Sequence, residues 1–371
     1  MTMSEAPGIE AVGDNPARLW GLTAEQRLAR LAAAENLGPV GRGGRILANL
    51  DYVFAPSWLR WVAANPGRAV TRDGVVVLAH CSSDAEAEAV RAEMVAGRPL
   101  AGIDGLATVA QETFGEVHDV KLRKREQPFM ERLTPATAPA IERRSYYASY
   151  KGVTDVLTKY LWPEWALWLT RLAARAGISP NAVTAVGGLL CVAAGVLFYF
   201  GWFWAGLASG LAFMVLDTVD GKLARCTITS SRIGNALDHG VDLVHPPFWW
   251  WAWGKGLEAW GRPVDPDLFL WAMVAVVAGY IVQRLIEGIF IARFDLEIHV
   301  WERLDSRFRL ITARRNPNMV ILFVALLLGY PDYGLLAVAA WTVLSCLFHA
   351  VRLAQAWPRH ARAGRLQSWL Q

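Results

Sequence analysis

Long stretches that carry almost no charge occupy the second half of the chain and restrict the folds open to it. From Asn181 onward, six apolar stretches each approach the roughly 20 residues that cross a bilayer core. The sequence is 54% hydrophobic and only 19% charged, which is too apolar for a soluble enzyme of 371 residues. We therefore expect an integral membrane protein, with spans at 182–200, 203–221, 235–254, 267–292, 317–330 and 333–353.

Basic residues are distributed unevenly among the connections between these spans. The connections at 201–202 and 330–332 carry no lysine or arginine, whereas those after the second and fourth spans are basic, as is the tail. The positive-inside rule then places both termini and the two basic connections in the cytoplasm, which requires an even number of spans. We expect six spans in the cytoplasmic (inner) membrane.

The residues before the first span have the composition of a soluble segment. Strand-like runs such as 75–79 alternate with helix-like runs such as 85–96, which predicts a small α/β domain over about 40–135. The predicted fold is mainly α: a polytopic membrane protein of about six transmembrane helices with a small N-terminal α/β cytoplasmic domain. The predicted divisions are a cytoplasmic domain at 1–140, a linker with a juxtamembrane amphipathic helix at 141–180, a membrane domain at 181–355 and a cytoplasmic tail at 356–371.

Two groups rich in tryptophan each allow two interpretations. Apolar side chains in 165–176 share one helical face, which we interpret as a helix lying on the membrane surface; a helix packed on the front domain is the less favoured alternative. A second group near the end of the third span fits either the outer membrane interface or a packing cluster. The first group is Trp165, Trp168, Leu169 and Leu172, and the second is Trp249, Trp250, Trp251 and Trp253.

Charge and cysteine usage exclude several classes of protein. The net charge of +4 is modest, and the basic residues adjoin apolar segments instead of forming a nucleic-acid-binding stripe. We therefore expect contact with membrane lipid or phosphate and no nucleic acid. The four cysteines lie far apart, without a disulfide framework or zinc spacing, so free thiols are expected.

Four aspartates lie in apolar surroundings where two predicted spans meet the cytoplasm. Asp217 and Asp220 end the second span, and Asp238 and Asp242 begin the third, so each pair lies on one helical face. Each ionised side chain near the membrane interior costs roughly 2.5–3.5 kcal/mol, and like charges repel further. A divalent cation would compensate, and an oxygen-only ligand set suits Mg²⁺ or Mn²⁺.

Small residues share the faces that carry these aspartates. Gly221, Ala224 and Gly234 would let a nucleotide pyrophosphate approach the backbone, with Arg225 as its charge partner. This arrangement is typical of phosphoryl transfer at the cytoplasmic side. The alternative is that the aspartates are interfacial caps or salt-bridge partners, but four carboxylates exceed the three nearby basic residues.

The spacing of these residues resembles the signature of the CDP-alcohol phosphatidyltransferase family. Asp217, Asp220, Gly221, Ala224 and Arg225 are followed by Gly234, Asp238 and Asp242 at the fixed intervals of that signature. The resemblance covers about 150–355, and it implies six helices around a polar cavity, a CDP-linked donor, a divalent metal and a homodimer.

The resemblance also implies a role for each signature residue. Asp217, Asp220 and Asp238 would ligate the metal, and Asp242 would be both a metal ligand and the catalytic general base. The CDP moiety would be held by Asp217, Gly221, Ala224, Arg225 and Gly234. An acceptor hydroxyl would then attack the β-phosphorus in line and expel CMP.

Residues between the signature positions suggest a subgroup. Lys222, Thr227 and the run Asp238-His239-Gly240 resemble choline/ethanolamine phosphotransferases, in which a CDP-aminoalcohol donates to a lipid hydroxyl. The favoured function is therefore phospho-alcohol transfer from a CDP-alcohol to a lipid or polyol acceptor, in phospholipid or related lipid synthesis. The competing function is transfer from CDP-diacylglycerol to a small polar alcohol such as inositol phosphate.

Further polar residues are candidates for the substrate or acceptor site. His239 could be an acid/base group or a cavity-lining hydrogen-bond donor, and Lys151 resembles a lysine ahead of the first helix of inositol enzymes. Arg284 pairs at i,i+3 with Glu287 inside the fourth span, which marks a cavity or pathway. Arg314 and Arg315 could bind an anionic substrate or anchor lipid headgroups, and anchoring is favoured.

Residues 47–56 loosely resemble part of a nucleotidyltransferase, but 38–45 lack the expected glycine-rich nucleotide loop. We therefore interpret 1–140 as a degenerate, inactive module of this kind; the alternative is a module that regulates the protein or docks partners. The rival functions are a transporter or cation channel that uses the membrane aspartates, and a non-catalytic scaffold.

Overall fold

A computed structural model gives the structure of residues 7–38, 44–99, 102–103, 105–120, 122–230 and 232–371; the side chains of 232–239 and 242 are outside this description. The front of the chain is an α/β domain built on a mixed five-stranded sheet, ordered β1-β4-β7-β6-β8. Its strands are β1 (Gly8–Val12), β2 (Arg18–Leu19), β3 (Leu22–Thr23), β4 (Arg45–Asn49), β5 (Tyr52–Phe54), β6 (Arg68–Arg72), β7 (Val75–Cys81), β8 (Ala107–Ala110), β9 (Val117–Asp119), β10 (Lys124–Glu126) and β11 (Met130–Arg132).

The central strand of this sheet is β7, which is buried along most of its length. It pairs antiparallel with β4 and β6, whereas β1–β4 and β6–β8 pair parallel. Because β1 begins at Gly8, the domain includes residues before the expected 40–135. Its helices are α1 (Ala24–Ala34), α2 (Pro56–Ala63), α3 (Asp84–Ala96) and α4 (Ala138–Ala148).

Local sequence explains where two of these helices begin and end. Thr23 and Gln26 form a capping box that satisfies the first amides of α1. Ser83 caps α3, and Gly97 ends it in the left-handed conformation that glycine adopts without steric cost.

Helix α5 (Pro163–Arg175) is the amphipathic helix expected before the membrane domain. Its face formed by Ala166, Leu167 and Ala173 packs into the core of the α/β domain. The opposite face leaves Trp165, Trp168 and Leu172 more than half exposed. The helix therefore packs on the front domain and presents an aromatic surface on its other side.

Six helices follow at the positions of the six predicted spans. Among the residues described, α6, α7, α9 and α12 are long and apolar enough to cross a membrane, and α11 is shorter, as its sequence suggested. The protein is thus a mainly helical membrane protein with a small N-terminal α/β region. The six are α6 (Pro180–Tyr199), α7 (Phe203–Cys226), α8 (Arg232–Trp260), α9 (Pro266–Phe294), α11 (Arg315–Leu327) and α12 (Pro331–Ala363), and the short α10 (Arg303–Phe308) precedes α11.

The second tryptophan group forms a packing cluster inside this helical bundle. Trp249, Trp250 and Trp253 are at most 3% exposed, in a core shared with Phe198 and Phe203, whereas Trp251 is 43% exposed. The outer-interface interpretation is therefore wrong for three of the four. Indole rings fill a core as readily as an interface, and the sequence does not separate the two.

Candidate active site

A polar cavity of about 560 Å³ lies where α7, α8, α9 and α11 meet the connection before α5 and the connection 297–309. Among the described residues that line it are eight lysine or arginine side chains and four carboxylates. Such an excess of positive charge suits a ligand that carries phosphate groups. Seven of the predicted site residues line this cavity: Lys151, Asp217, Gly221, Arg225, Arg284, Arg314 and Arg315.

The two aspartates of α7 have different surroundings. Asp217 lines the cavity, and its Oδ2 accepts a hydrogen bond of 2.6 Å from Arg315 on α11. Asp220 is only 5% exposed, and its Oδ2 accepts a hydrogen bond of 2.6 Å from the Thr184 hydroxyl on α6. The i,i+3 spacing thus holds both carboxylates at the end of α7, and each is oriented by a different neighbouring helix.

The small residue at 221 has a steric role that the structure makes explicit. A Cβ added to Gly221 would lie 3.1 Å from the guanidinium of Arg225, which extends back across this face of the helix. A larger side chain would displace Arg225 from the cavity wall. Ala224 is half-buried and is not among the lining residues.

The residues predicted on α8 are Gly234, Asp238, His239 and Asp242, and their side chains lie outside the described part of the structure. The next turn of the same helix is described, and Leu243 and Pro246 line the cavity together with Asp217. Helix α8 therefore borders the same cavity as the end of α7 at Leu243 and Pro246.

The donor chemistry of the described half of this site fits a hard divalent cation. Asp217 and Asp220 offer only carboxylate oxygens, which Mg²⁺ and Mn²⁺ prefer. In the described part of the chain, no three His, Cys, Asp or Glu side chains form a group that could hold a metal. The two further expected ligands, Asp238 and Asp242, lie on α8, and their side chains are outside the described part of the structure.

Glu287 is the centre of a second charged cluster in the cavity. Arg284 Nη1 lies 3.1 Å from Glu287 Oε2, which confirms the i,i+3 pair, and Arg314 and His299 also contact this carboxylate. Arg314 and Arg315 thus face carboxylates inside the cavity. The favoured interpretation, that Arg314 and Arg315 anchor lipid headgroups, is therefore not supported by the structure.

Arg309 is a cavity residue that the sequence did not single out. It is 9% exposed, and neither its Nε nor its Nη1 has a hydrogen-bond partner. Burial, with the nearby Arg314 charge adding to it, lowers the pKa of Arg309 to about 9. A buried guanidinium with unsatisfied donors favours an anion within reach. The only signal in the sequence was its place among the arginines after the fourth span.

The contact between Asp155 and Asn316 was also not predicted from the sequence. Asn316 on α11 donates a hydrogen bond of 2.8 Å to Asp155, whose carboxylate also accepts from the Thr158 amide and hydroxyl. This network ties the connection before α5 to the first turn of α11. No short-range sequence pattern predicts this network, because Asp155 and Asn316 are 161 positions apart.

Comparison with known families shows what this part of the chain resembles. The family model of the CDP-alcohol phosphatidyltransferases matches residues 177–346, slightly less than half of the chain. The matched range contains the whole predicted signature, from Asp217 to Asp242, while Lys151 and Asp155 precede it.

Two curated relatives are cholinephosphotransferases. Cholinephosphotransferase 1 of Gallus gallus is 33% identical over 128 residues, which are 31% of this chain and 36% of the relative. Cholinephosphotransferase 1 of Danio rerio is 28% identical over 129 residues, 32% of each chain. The chain spans about a third of the length of these relatives. The similarity agrees with the predicted subgroup and covers about a third of each chain.

Proposed function

We propose that the protein transfers a phospho-alcohol group from a CDP-alcohol to a hydroxyl acceptor and releases CMP. The observation that carries this proposal is the end of α7, where Asp217, Gly221 and Arg225 line one polar cavity in a membrane domain of the matching family. The proposed context is the synthesis of phospholipids or related lipids, with lipid or polyol as the acceptor.

The residues of this chain would bind the donor through its diphosphate. Arg225 supplies positive charge beside Gly221, and Lys151 lies across the cavity on the connection before α5. Asp217, Asp220, Asp238 and Asp242 would hold Mg²⁺ or Mn²⁺, and Gly234 and Ala224 would leave space for the nucleotide. Bound metal would offset the diphosphate charge and stabilise CMP as it leaves.

Asp242 is the proposed general base. It would accept the proton of the acceptor hydroxyl, whose oxygen attacks the β-phosphorus while the bond from that phosphorus to the bridging oxygen of CMP breaks. A carboxylate beside a metal has a low pKa, so this role depends on its position more than on its basicity. His239 is proposed as a hydrogen-bond donor to the substrate.

The test is CMP release by purified protein with Mg²⁺ or Mn²⁺, offered CDP-choline, CDP-ethanolamine, CDP-inositol and CDP-diacylglycerol in turn. Asp242→Asn should lower the rate by about 10²- to 10⁴-fold. Asp332→Asn is the matched control, because Asp332 pairs with Arg262 at the first turn of α12. Absence of CMP with every donor, in folded protein that binds neither metal nor CDP, would favour a transporter or scaffold.

A second candidate function is favoured by Arg309 and the cluster around Glu287. If the acceptor carries a phosphate, as glycerol phosphate or inositol phosphate does, the unsatisfied donors of Arg309 are placed to bind it, with Arg284, Arg314 and Arg315 beside it. The donor would then be CDP-diacylglycerol.

Kinetics of an Arg309 variant separate the two candidates. With a phosphate-bearing acceptor, Arg309→Met should raise the KM for that acceptor by roughly tenfold or more, since a charge-assisted hydrogen bond contributes about 1.5–3 kcal/mol. With diacylglycerol as the acceptor, the KM should not change. Arg307→Met is the control, because Arg307 is exposed on α10, two positions before Arg309.

The membrane side and assembly are parts of the same proposal. We propose that the protein lies in the cytoplasmic membrane with both termini and the active site on the cytoplasmic side, and that it forms a homodimer. The α/β domain is proposed to be a degenerate nucleotidyltransferase-like module.

A further inference from the structure

The last turns of α7 line the cavity on one face and pack against the α/β domain on another. Asp217, Gly221 and Arg225 face the cavity. Val219, Leu223 and Cys226 face the other way and belong to one apolar core with residues of the α/β domain. That core includes Leu28 and Leu31 of α1 and Trp58 and Leu59 of α2. The C-terminal end of α7 therefore packs against the α/β domain.

Two arginines of α1 bind the carbonyl groups that end α7. Arg27 Nη1 donates a hydrogen bond of 3.1 Å to the Cys226 carbonyl, and Arg30 Nη1 donates one of 2.7 Å to the Thr227 carbonyl. The last carbonyls of a helix have no partner within it, and the helix dipole favours positive charge at this end. These contacts join residues 199 and 197 positions apart.

A third contact reaches the same turn from the end of α4. Lys222 is 3% exposed, and its Nζ donates a hydrogen bond of 3.0 Å to the Ser149 carbonyl. The same ammonium lies 3.1 Å from the centre of the Tyr150 ring, a cation–π contact. The last turns of α7 are thus held by hydrogen bonds and apolar packing from residues before 151, and one of these contacts, between Lys222 and Tyr150, lies in the cavity wall.

We infer that the α/β domain is a positioning element of the reaction site, and that Arg27 and Arg30 are positioning residues that hold the last turn of α7. Arg225 immediately precedes Cys226, so a shift of the turn that Arg27 binds moves the guanidinium beside Gly221. The inference rests on the proposed function for its kinetic consequence. The family model does not cover α1, so the two arginines lie outside the matched range, whereas the carbonyls that they bind lie inside it.

The test uses the full chain purified in lipid, with Arg27→Met and Arg30→Met. Each variant should lower kcat/KM for the CDP-linked donor by about tenfold or more, because displacement of a substrate-positioning group by 1 Å can cost about 10²-fold. Amide hydrogens of 224–230 should exchange faster, while those of β4 and β7 should not change. Arg27→Lys and Arg30→Lys should recover much of the activity, because an ammonium also donates to carbonyls.

Arg98→Met is the matched control, since Arg98 is exposed in the same domain and pairs with Glu93. Arg30 is only half-buried, so Arg30→Met keeps the core intact if Arg27→Met does not fold. Unchanged exchange at 224–230 and unchanged CMP release in folded Arg30→Met would overturn the inference. If the wild-type protein releases no CMP with any donor, the proposed function fails, while the exchange of 224–230 still decides whether these arginines hold α7.

Discussion

At the scale of single residues, Thr184 supports a signature carboxylate from a neighbouring helix. Its hydroxyl donates to Oδ2 of the buried Asp220, whose Oδ1 accepts from the Gly221 amide. A carboxylate that loses such a partner changes its orientation and its affinity for a cation. Thr184 is therefore expected to affect metal binding without being a ligand.

We predict that Thr184→Val lowers metal-dependent CMP release by about 10- to 100-fold, mainly by raising the Mg²⁺ concentration needed for half-maximal rate. Titration of the rate with Mg²⁺ measures this effect, and Thr184→Ser should restore it. Thr342→Val is the control, because that hydroxyl donates to the backbone of its own helix. A Mg²⁺ dependence identical to that of the wild type would show that Thr184 does not support the site.

The sequence predicted residues of this cavity from helical spacing, from charge and from family resemblance, but it did not point to Thr184 or Arg309. Asp217, Asp220 and Gly221 fall on one face because three or four residues make one turn. Thr184 and Arg309 reach the site from other helices and loops, and their contacts depend on packing across 36 or more positions. Periodicity carries no information about such pairs.

At the scale of elements, α12 is tied to the connection 295–314 by a buried ion pair. Arg352 Nε donates to Asp305 Oδ1 at 2.6 Å, and the two side chains are 6% and 1% exposed. Arg352 also lies over the Trp301 ring. The chain end packs on the same connection, because the Trp369 amide donates to the Trp301 carbonyl.

We predict that Arg352→Met destabilises the protein by about 3–5 kcal/mol, because it leaves the Asp305 carboxylate buried without its partner. The midpoint of thermal unfolding in detergent should fall accordingly. Arg359→Met on the same helix is the control: Arg359 is half exposed, so its pair with Glu302 should contribute little. Equal midpoints for the two variants would contradict the prediction.

Helix α5 illustrates an element whose character the sequence predicted and whose packing it left open. The amphipathic pattern gave the helix, but only the structure shows that Leu167 and Ala173 pack on the α/β domain while Trp168 stays exposed. Indole rings favour the membrane interface. The exposed face is therefore placed to contact lipid.

We predict that an environment-sensitive fluorophore attached at Trp168→Cys is quenched by brominated lipids, in a background without the native cysteines. The same fluorophore at Asp84→Cys should not be quenched, since Asp84 is 92% exposed on the α/β domain. Quenching that is equally weak at both positions would show that α5 does not touch the bilayer.

At the scale of the whole molecule, the cavity and the α/β domain lie at the same ends of the helices. Helix α7 ends at Cys226, which Arg27 contacts, and α9 ends at Phe294, just before the connection that lines the cavity. The sequence predicted the spans because apolar length is a local property. It could not predict that the front domain shares a core with α7, because that contact depends on tertiary packing.

Helix α7 begins after 200–202 and reaches the cavity in its last turns, and α11 begins at the cavity and ends before 328–330, so these two connections lie at the end opposite the cavity. Helix α7 alone rises about 36 Å between them and the cavity end, enough to cross a bilayer core. We predict that Trp202→Cys and Tyr330→Cys react with a membrane-impermeant maleimide applied outside intact cells. Ser82→Cys and Arg307→Cys should react only after lysis if the α/β domain and the cavity lie on the cytoplasmic side, as we propose. Labelling of Ser82→Cys before lysis would invert the topology, and labelling of Trp202→Cys without Tyr330→Cys would rule out an even number of crossings between them.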